Sequence, residues 1–112
     1  MCIFCKIVAR EIPADIVFQD DHLTAFRDIN PQAPVHILVV PNEHIPTLVG
    51  LRPDQARLVG DMVHAATVLA ESEGVAANGF RLVFNTGPEA GQSVDHIHLH
   101  LLGGRPMKWP PG

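Results

Sequence analysis

No run of basic residues occurs in this chain. Eight Lys and Arg stand against twelve Asp and Glu, a formal net charge of -4. A grip on nucleic-acid backbone needs clustered cations, so that class of partner is not expected. Long apolar runs are also missing. Runs such as Ile37-Leu38-Val39-Val40 fall far short of the roughly 20 residues that span a bilayer, so no membrane partner is expected. The opening Met1-Cys2-Ile3-Phe4-Cys5-Lys6 lacks a basic segment, an apolar stretch and a cleavage site. No signal peptide is therefore read, and the expected compartment is cytoplasmic. Thiols stay reduced there, so Cys2 and Cys5 read as ligands or bystanders rather than as a disulfide.

What is present fits a folded globule. Hydrophobic residues make up 46% and charged residues 18% of the 112 residues. That length allows one domain, residues 1–112, and any further large buried surface must come from another subunit.

Along the chain, Ile3 to Arg10 reads as a short helix before Pro13. Ile16 to Gln19 and Leu23 to Arg27 flank Asp20-Asp21 and read as a hairpin. Val35 to Val40 is a nearly continuous apolar strand stopped by Pro41. From Pro53 the period changes: Leu58, Met62, Ala65, Ala66 and Leu69 recur at helical spacing, and Gly74 ends one long helix. Phe80 to Asn85 and His96 to Leu102 read as strands, with a glycine-rich loop from Thr86 to Ser93 between them. One long and one short helix against about five strands predicts an α+β fold with an antiparallel sheet, since parallel pairing needs more helical crossovers.

His96, His98 and His100 alternate with Ile97, Leu99 and Leu101. On a strand the three imidazoles line one side and the aliphatic residues the other. The plain reading is a hydrogen-bonded structural cluster. A second reading is a metal site. The outer pair, His96 and His100, stand about 13 Å apart along a strand, so two of the three could share an ion but not all three. The third reading is nucleophilic catalysis, with a neutral imidazole attacking phosphorus while a neighbour fixes its tautomer. His98, flanked on both sides, is the natural nucleophile. Gly91-Gln92-Ser93, just upstream, supplies amides and a hydroxyl for phosphate oxygens.

The stretch from Gly91 to Leu102, GQSVDHIHLHLL, closely resembles the signature of the histidine triad (HIT) superfamily. The blocks Phe4-Cys5-Lys6-Ile7, Glu11-Ile12-Pro13, Phe26 to Pro34, His36 to Pro41 and Gly103 to Gly112 resemble its Hint branch, the histidine triad nucleotide-binding proteins. The resemblance implies a homodimer whose sheets join into one, purine nucleoside monophosphates as ligands, and hydrolysis of nucleoside phosphoramidates with no required cofactor. By that likeness His98 attacks the α-phosphorus and carries the nucleotidyl group. His100 and His36 would contact the phosphate and orient the nucleophile, and Ser93 would bond the leaving amine. Asn85 and the amides near Gly91 and Gln92 would hold the phosphate. Asp28 would accept both ribose hydroxyls, although beside Asn30-Pro31 it equally reads as a turn initiator. Phe4, Ile7, Phe26 and Ile29 would wall the base, or serve the core. Trp109 would shape the leaving-group side across the dimer, or anchor the interface.

Cys2-x-x-Cys5 has zinc spacing, but a structural site needs four ligands. Resemblance to some bacterial-type members nominates His44 and His96 to complete a structural zinc, leaving His98 and His100 for chemistry. The alternative is two unpaired thiols. Rival functions stay open: an AMP- or GMP-binding regulatory protein with incidental catalysis, a dinucleoside polyphosphate hydrolase, or a zinc-dependent hydrolase. His100 stands where the polyphosphate branch usually carries glutamine, which argues against that branch. Asp95 departs from the aromatic or apolar residue common before the triad, and adds a negative charge near the phosphate site. His22 and His64 match nothing and read as surface residues.

Overall fold

The structure is a computed structural model that describes residues 2–112. A short helix α1 (Ile3–Val8) leads into the hairpin of β1 (Ile16–Gln19) and β2 (Leu23–Arg27). Asp20 closes the turn, its Oδ1 accepting the N–H groups of His22 and Leu23 at 2.8 and 2.7 Å. Strand β3 (Val35–Pro41) follows, then a 3₁₀ turn at Pro53–Gln55 that runs into the long helix α2 (Ala56–Ser72). Gly74 takes φ +78°, a left-handed conformation that ends the helix where the sequence places the stop. The chain finishes with β4 (Phe80–Phe84), β5 (Leu99–Gly103) and a proline-rich tail.

The five strands form one sheet in the order β1-β2-β3-β5-β4, and every neighbouring pair is antiparallel. The α+β reading therefore holds. One sheet face carries Leu23, Ala25, Ile37, Val39, Leu99 and Leu101, buried against Met62, Ala66 and Ala70 of α2. The opposite face carries Phe26, Leu38 and Val40, covered by Phe4 and Ile7 of α1. The helix α1 is short, so it covers only part of this second face. The bidentate pair from Arg27 to Glu73, at 2.7 and 3.0 Å, ties β2 to the end of α2. No helix among the described residues is long and apolar enough to cross a membrane.

Small boundary differences from the expectation are that α1 ends at Val8 rather than Arg10, β3 takes in Pro41, β4 ends at Phe84 rather than Asn85 and the last strand runs on to Gly103; the large one is at that strand's start. The last strand begins at Leu99, not at His96. The register pairs Val39 with Leu99, so Ile97 would next meet Pro41, which has no N–H to continue the ladder. The Ile97 N–H turns instead to the carbonyl of Ile45 at 2.7 Å. His96 to His98 thus form an irregular lead-in to the strand. The alternation survives all the same: Ile97, Leu99 and Leu101 are buried in the core under α2.

Candidate active site

Each histidine on the α1 side of the sheet has its protons fixed by a partner of known sense. His98 Nδ1 lies 2.7 Å from the backbone carbonyl of His96. A carbonyl only accepts, so Nδ1 carries the proton and, in the neutral ring, Nε2 carries the lone pair. Phe4 packs edge-on to this ring with centroids 5.1 Å apart, and His98 is 5% exposed.

A second chain of donors begins in the Asn30-Pro31-Gln32 turn. The Gln32 backbone N–H donates to His36 Nδ1 at 3.0 Å. His36 Nε2 must then hold the ring proton, and it lies 2.9 Å from His100 Nδ1. His100 Nδ1 is therefore an acceptor, which places the proton of the neutral ring on Nε2. That Nε2 is buried and has no hydrogen-bond partner. A buried donor left unpaired is unfavourable unless a ligand supplies the acceptor. The rings of His98 and His100 have centroids 5.0 Å apart, so a lone pair and a donor stand side by side.

Burial, first of all, holds His100 down at about 4, from an ordinary 6.5, with His98 and His36 adding to the effect and Asp28 opposing it. Burial likewise lowers His36, against the pull of Asp28. As acid is added, the unfolded chain takes up these protons first, so the fold loses stability as pH falls from 6.5 towards about 4. Thermal melts across that window should show Tm falling with pH, and a Tm that holds or rises would contradict the assignment.

A cleft of about 370 Å³ opens beside the two rings, lined among others by Phe4, Ile7, Phe26, Asp28, Ile29, Ser93, His98 and His100. Most residues singled out for a nucleoside therefore come together here. Phe4 and Ile7 are at once core and wall. Ile29 stands at the rim, 98% exposed. Asp28 initiates the turn, one of its two readings, its Oδ1 accepting the Asn30 N–H at 2.8 Å, while Oδ2 lies 3.5 Å from His36 Nε2.

Other residues lie elsewhere. Asn85 follows β4 and lines a neighbouring cleft that also touches His36 and His100. Gly91, at φ +79°, ends the 3₁₀ turn Pro88–Ala90 in a left-handed conformation. The Gln92 side chain ties this loop together, accepting from Gly87 N and donating to the carbonyls of Pro46 and Val94. Trp109 is 86% exposed and lines neither cleft. Asp95, His22 and His64 are exposed. Sequence reasoning did not single out Gln32, whose contribution is a backbone N–H and carries no side-chain signal. Nor did it single out Leu38 and Val94, which line the cleft as ordinary apolar residues.

A separate cluster gathers Cys2, Cys5, His44 and His96, with their ligand atoms all within 4.8 Å of one another. The Cys2 Sγ–His96 Nδ1, Cys5 Sγ–His44 Nδ1 and Cys5 Sγ–His96 Nδ1 distances are 3.3, 3.4 and 3.6 Å, and the two imidazole nitrogens are 3.3 Å apart. A tetrahedral zinc with Zn–S of about 2.3 Å and Zn–N of about 2.0 Å has edges of about 3.5 and 3.3 Å, so the donors fit. His96 Nε2 donates to the Pro41 carbonyl at 2.8 Å, which directs its Nδ1 lone pair at the cluster. Burial and the adjacent Cys2 thiol push the Cys5 thiol up, a bias that a cation between the sulfurs would reverse. The His96 side chain thus faces the cysteines, apart from the rings of His98 and His100. A second close group, Asp28, His36 and His100, is closed by the direct His36–His100 bond.

The chain matches the family description "HIT domain" over residues 9–107. It is 55% identical over 105 residues to the purine nucleoside phosphoramidase of Escherichia coli (strain K12), covering 94% of this chain and 88% of that protein. It is 50% identical over 113 residues to the 14 kDa zinc-binding protein of Zea mays, covering 98% of this chain and 87% of that one. The crystal structure of a HIT family hydrolase from Legionella pneumophila Philadelphia 1 superposes with a TM-score of 0.98 at 52% identity, covering 100% of both chains. With its imidazoles aligned on a cleft and this likeness along nearly its whole length, the chain belongs to the HIT-domain family.

Proposed function

We propose that this protein is a purine nucleoside phosphoramidase that works as one domain over residues 1–112, through a nucleotidyl–His98 intermediate. One observation carries the reading: His98 is held in the tautomer that leaves Nε2 nucleophilic, beside a nucleoside-sized cleft. In the first step the Nε2–P bond forms and the P–N bond to the amine breaks. The leaving nitrogen takes a proton from solvent and departs, steadied by the Ser93 hydroxyl; the water of the second step returns a proton to solvent. Water then attacks phosphorus, the Nε2–P bond breaks, and nucleoside monophosphate leaves with His98 restored. His100 Nε2–H donates to a non-bridging oxygen as charge grows there, and His36 keeps His100 in the donor tautomer. Asn85 and the amides of Gly91 and Gln92 complete the phosphate site. Asp28 receives the ribose hydroxyls, and Phe4, Ile7, Phe26 and Ile29 enclose the purine. No cofactor enters these steps.

Turnover of adenosine and guanosine phosphoramidates, beside diadenosine polyphosphates, tests this. Release of amine and nucleoside monophosphate is the expected result. Binding of AMP without turnover would instead favour the regulatory reading, and a preference for dinucleotides the polyphosphate reading.

We further infer that Cys2, Cys5, His44 and His96 hold a structural zinc. The ion would supply cross-linking only, fastening α1 and its Phe4 beside His98. Protein purified without chelator should carry about one equivalent of zinc. Less than about a tenth of an equivalent would remove the idea. At free zinc about a hundredfold above its Kd, stripping the ion should lower stability by about 2.7 kcal/mol.

The homodimer is proposed along β4, which has only β5 beside it and leaves its other edge unpaired. The exposed Trp109 on the tail is suited to reach the partner's leaving-group side.

A further inference from the structure

The nucleoside cleft is not the only opening onto the imidazole pair. His100 also lines a second cleft of about 450 Å³, on the far side from Phe4 and Phe26. Its walls include Arg81, Arg105 and Lys108; no Asp or Glu side chain lines it, and the one anionic group there is the α-carboxylate of Gly112. That gathers three of the eight Lys and Arg of a chain whose net charge is -4 into one hollow. Other arginines are neutralised: Arg27, Arg52 and Arg57 each pair with a carboxylate. Arg81 donates instead to the Lys108 carbonyl at 2.9 Å, and Arg105 to the carbonyls of Gln32 and Pro106. Carbonyls fix these guanidinium groups in place without neutralising them, and one terminal carboxylate stands against three cations in the hollow. Among the described residues neither Arg81, Arg105 nor Lys108 makes an ion pair.

The sheet register sets the direction. Val83 of β4 lies opposite His100, and Arg81 lies opposite Leu102, on the same face and two residues further along. Arg81 is therefore displaced by about 6.6 Å from the His100 row. A ligand with its nucleoside against Phe4 and Phe26 and its phosphorus at His98 and His100 must send its remaining part this way or into solvent. Cations fixed at such a distance suit an anion several bonds beyond the phosphorus.

We propose that the leaving group this site prefers carries an anion, namely a carboxylate three or four bonds from the departing nitrogen, received by Arg81 and Lys108. This rests on the phosphoramidase reading and narrows its substrate class to phosphoramidates of acidic amines.

The test uses four adenosine 5′-phosphoramidates with amines of similar length: 4-aminobutyrate, its neutral 4-aminobutanamide, 1,4-diaminobutane, and 2-aminoethyl phosphate. The readout is the ratio of kcat/KM for the anionic amines to that for the neutral amide. Two partly exposed ion pairs supply about threefold each, so a ratio of about ten is expected. The 4-aminobutyrate and aminoethyl phosphate arms report whether carboxylate or phosphate is the better anion; a clear lead for phosphate would overturn the carboxylate assignment. Lys108→Gln should reduce the ratio to about three, and Lys108→Glu should take it below one. Raising the salt from about 0.05 to 0.5 M should shrink the ratio in the unmodified protein, a readout that needs no variant. Equal turnover of acid and amide, or preference for the diamine, would overturn the proposal and leave the phosphoramidase reading standing. No turnover of any of the four would overturn both.

Discussion

Replacing His98 with asparagine is expected to lower kcat by about 10⁴-fold or more while leaving the fold in place. Asparagine can set its amide N–H near the position of Nδ1, and so keep the bond to the His96 carbonyl. It also fills most of the space under Phe4, which truncation to alanine would empty. It has no lone pair with which to attack phosphorus, so the covalent route closes. Binding of AMP should persist, because the cleft walls and the His100 donor remain. Steady-state kinetics, a thermal melt and an AMP titration on one preparation distinguish loss of chemistry from loss of structure. Full activity in this variant would contradict the assignment of His98.

The opposite dissociation is expected at Leu101. It follows His100 on β5 but points to the other sheet face, is 0% exposed and belongs to the cluster beneath α2. Its strand partners are Ile37 of β3 and Leu82 of β4, so the sheet fixes its surroundings and leaves little room for collapse. Leu101→Ala should cost about 2–5 kcal/mol. Tm should fall by about 10–20 °C in a domain of this size. At temperatures where the variant is folded, turnover should stay within about threefold of the parent, since no imidazole contact is changed. Denaturant melts with a shifted midpoint and an unchanged slope would bear this out. A drop of under about 1 kcal/mol would mean that the face beneath α2 is not a close-packed core.

These two residues show what the sequence made legible. Alternation assigns His100 and Leu101 to opposite faces, and the structure places them so. The hairpin and the long helix were readable because Asp20 and Gly74 mark their ends by local chemistry. The strand start at Leu99 was not, because it depends on Pro41 standing opposite Ile97 across the sheet. The same limit applies to the proton relay. His36 is one imidazole in an apolar strand until the fold brings Gln32 N to one nitrogen and His100 to the other. Without the family resemblance, Cys2-x-x-Cys5 could not name His44 and His96 as neighbours, which lie 39 and 91 residues from Cys5. The cationic hollow was invisible for a like reason: Arg81, Arg105 and Lys108 are scattered in a net acidic sequence and meet only where β4 and the tail come together.

The central claim is that one imidazole nitrogen becomes bonded to phosphorus during turnover. It is met most directly by mixing the protein with an excess of an adenosine phosphoramidate and quenching within one turnover at alkaline pH. Peptide mass spectrometry then locates the adenylyl group. Adenylyl carried by His98, and absent from the His98→Asn variant, is the predicted result. A label on any other residue, or amine release with no labelled protein at any time point, would contradict it.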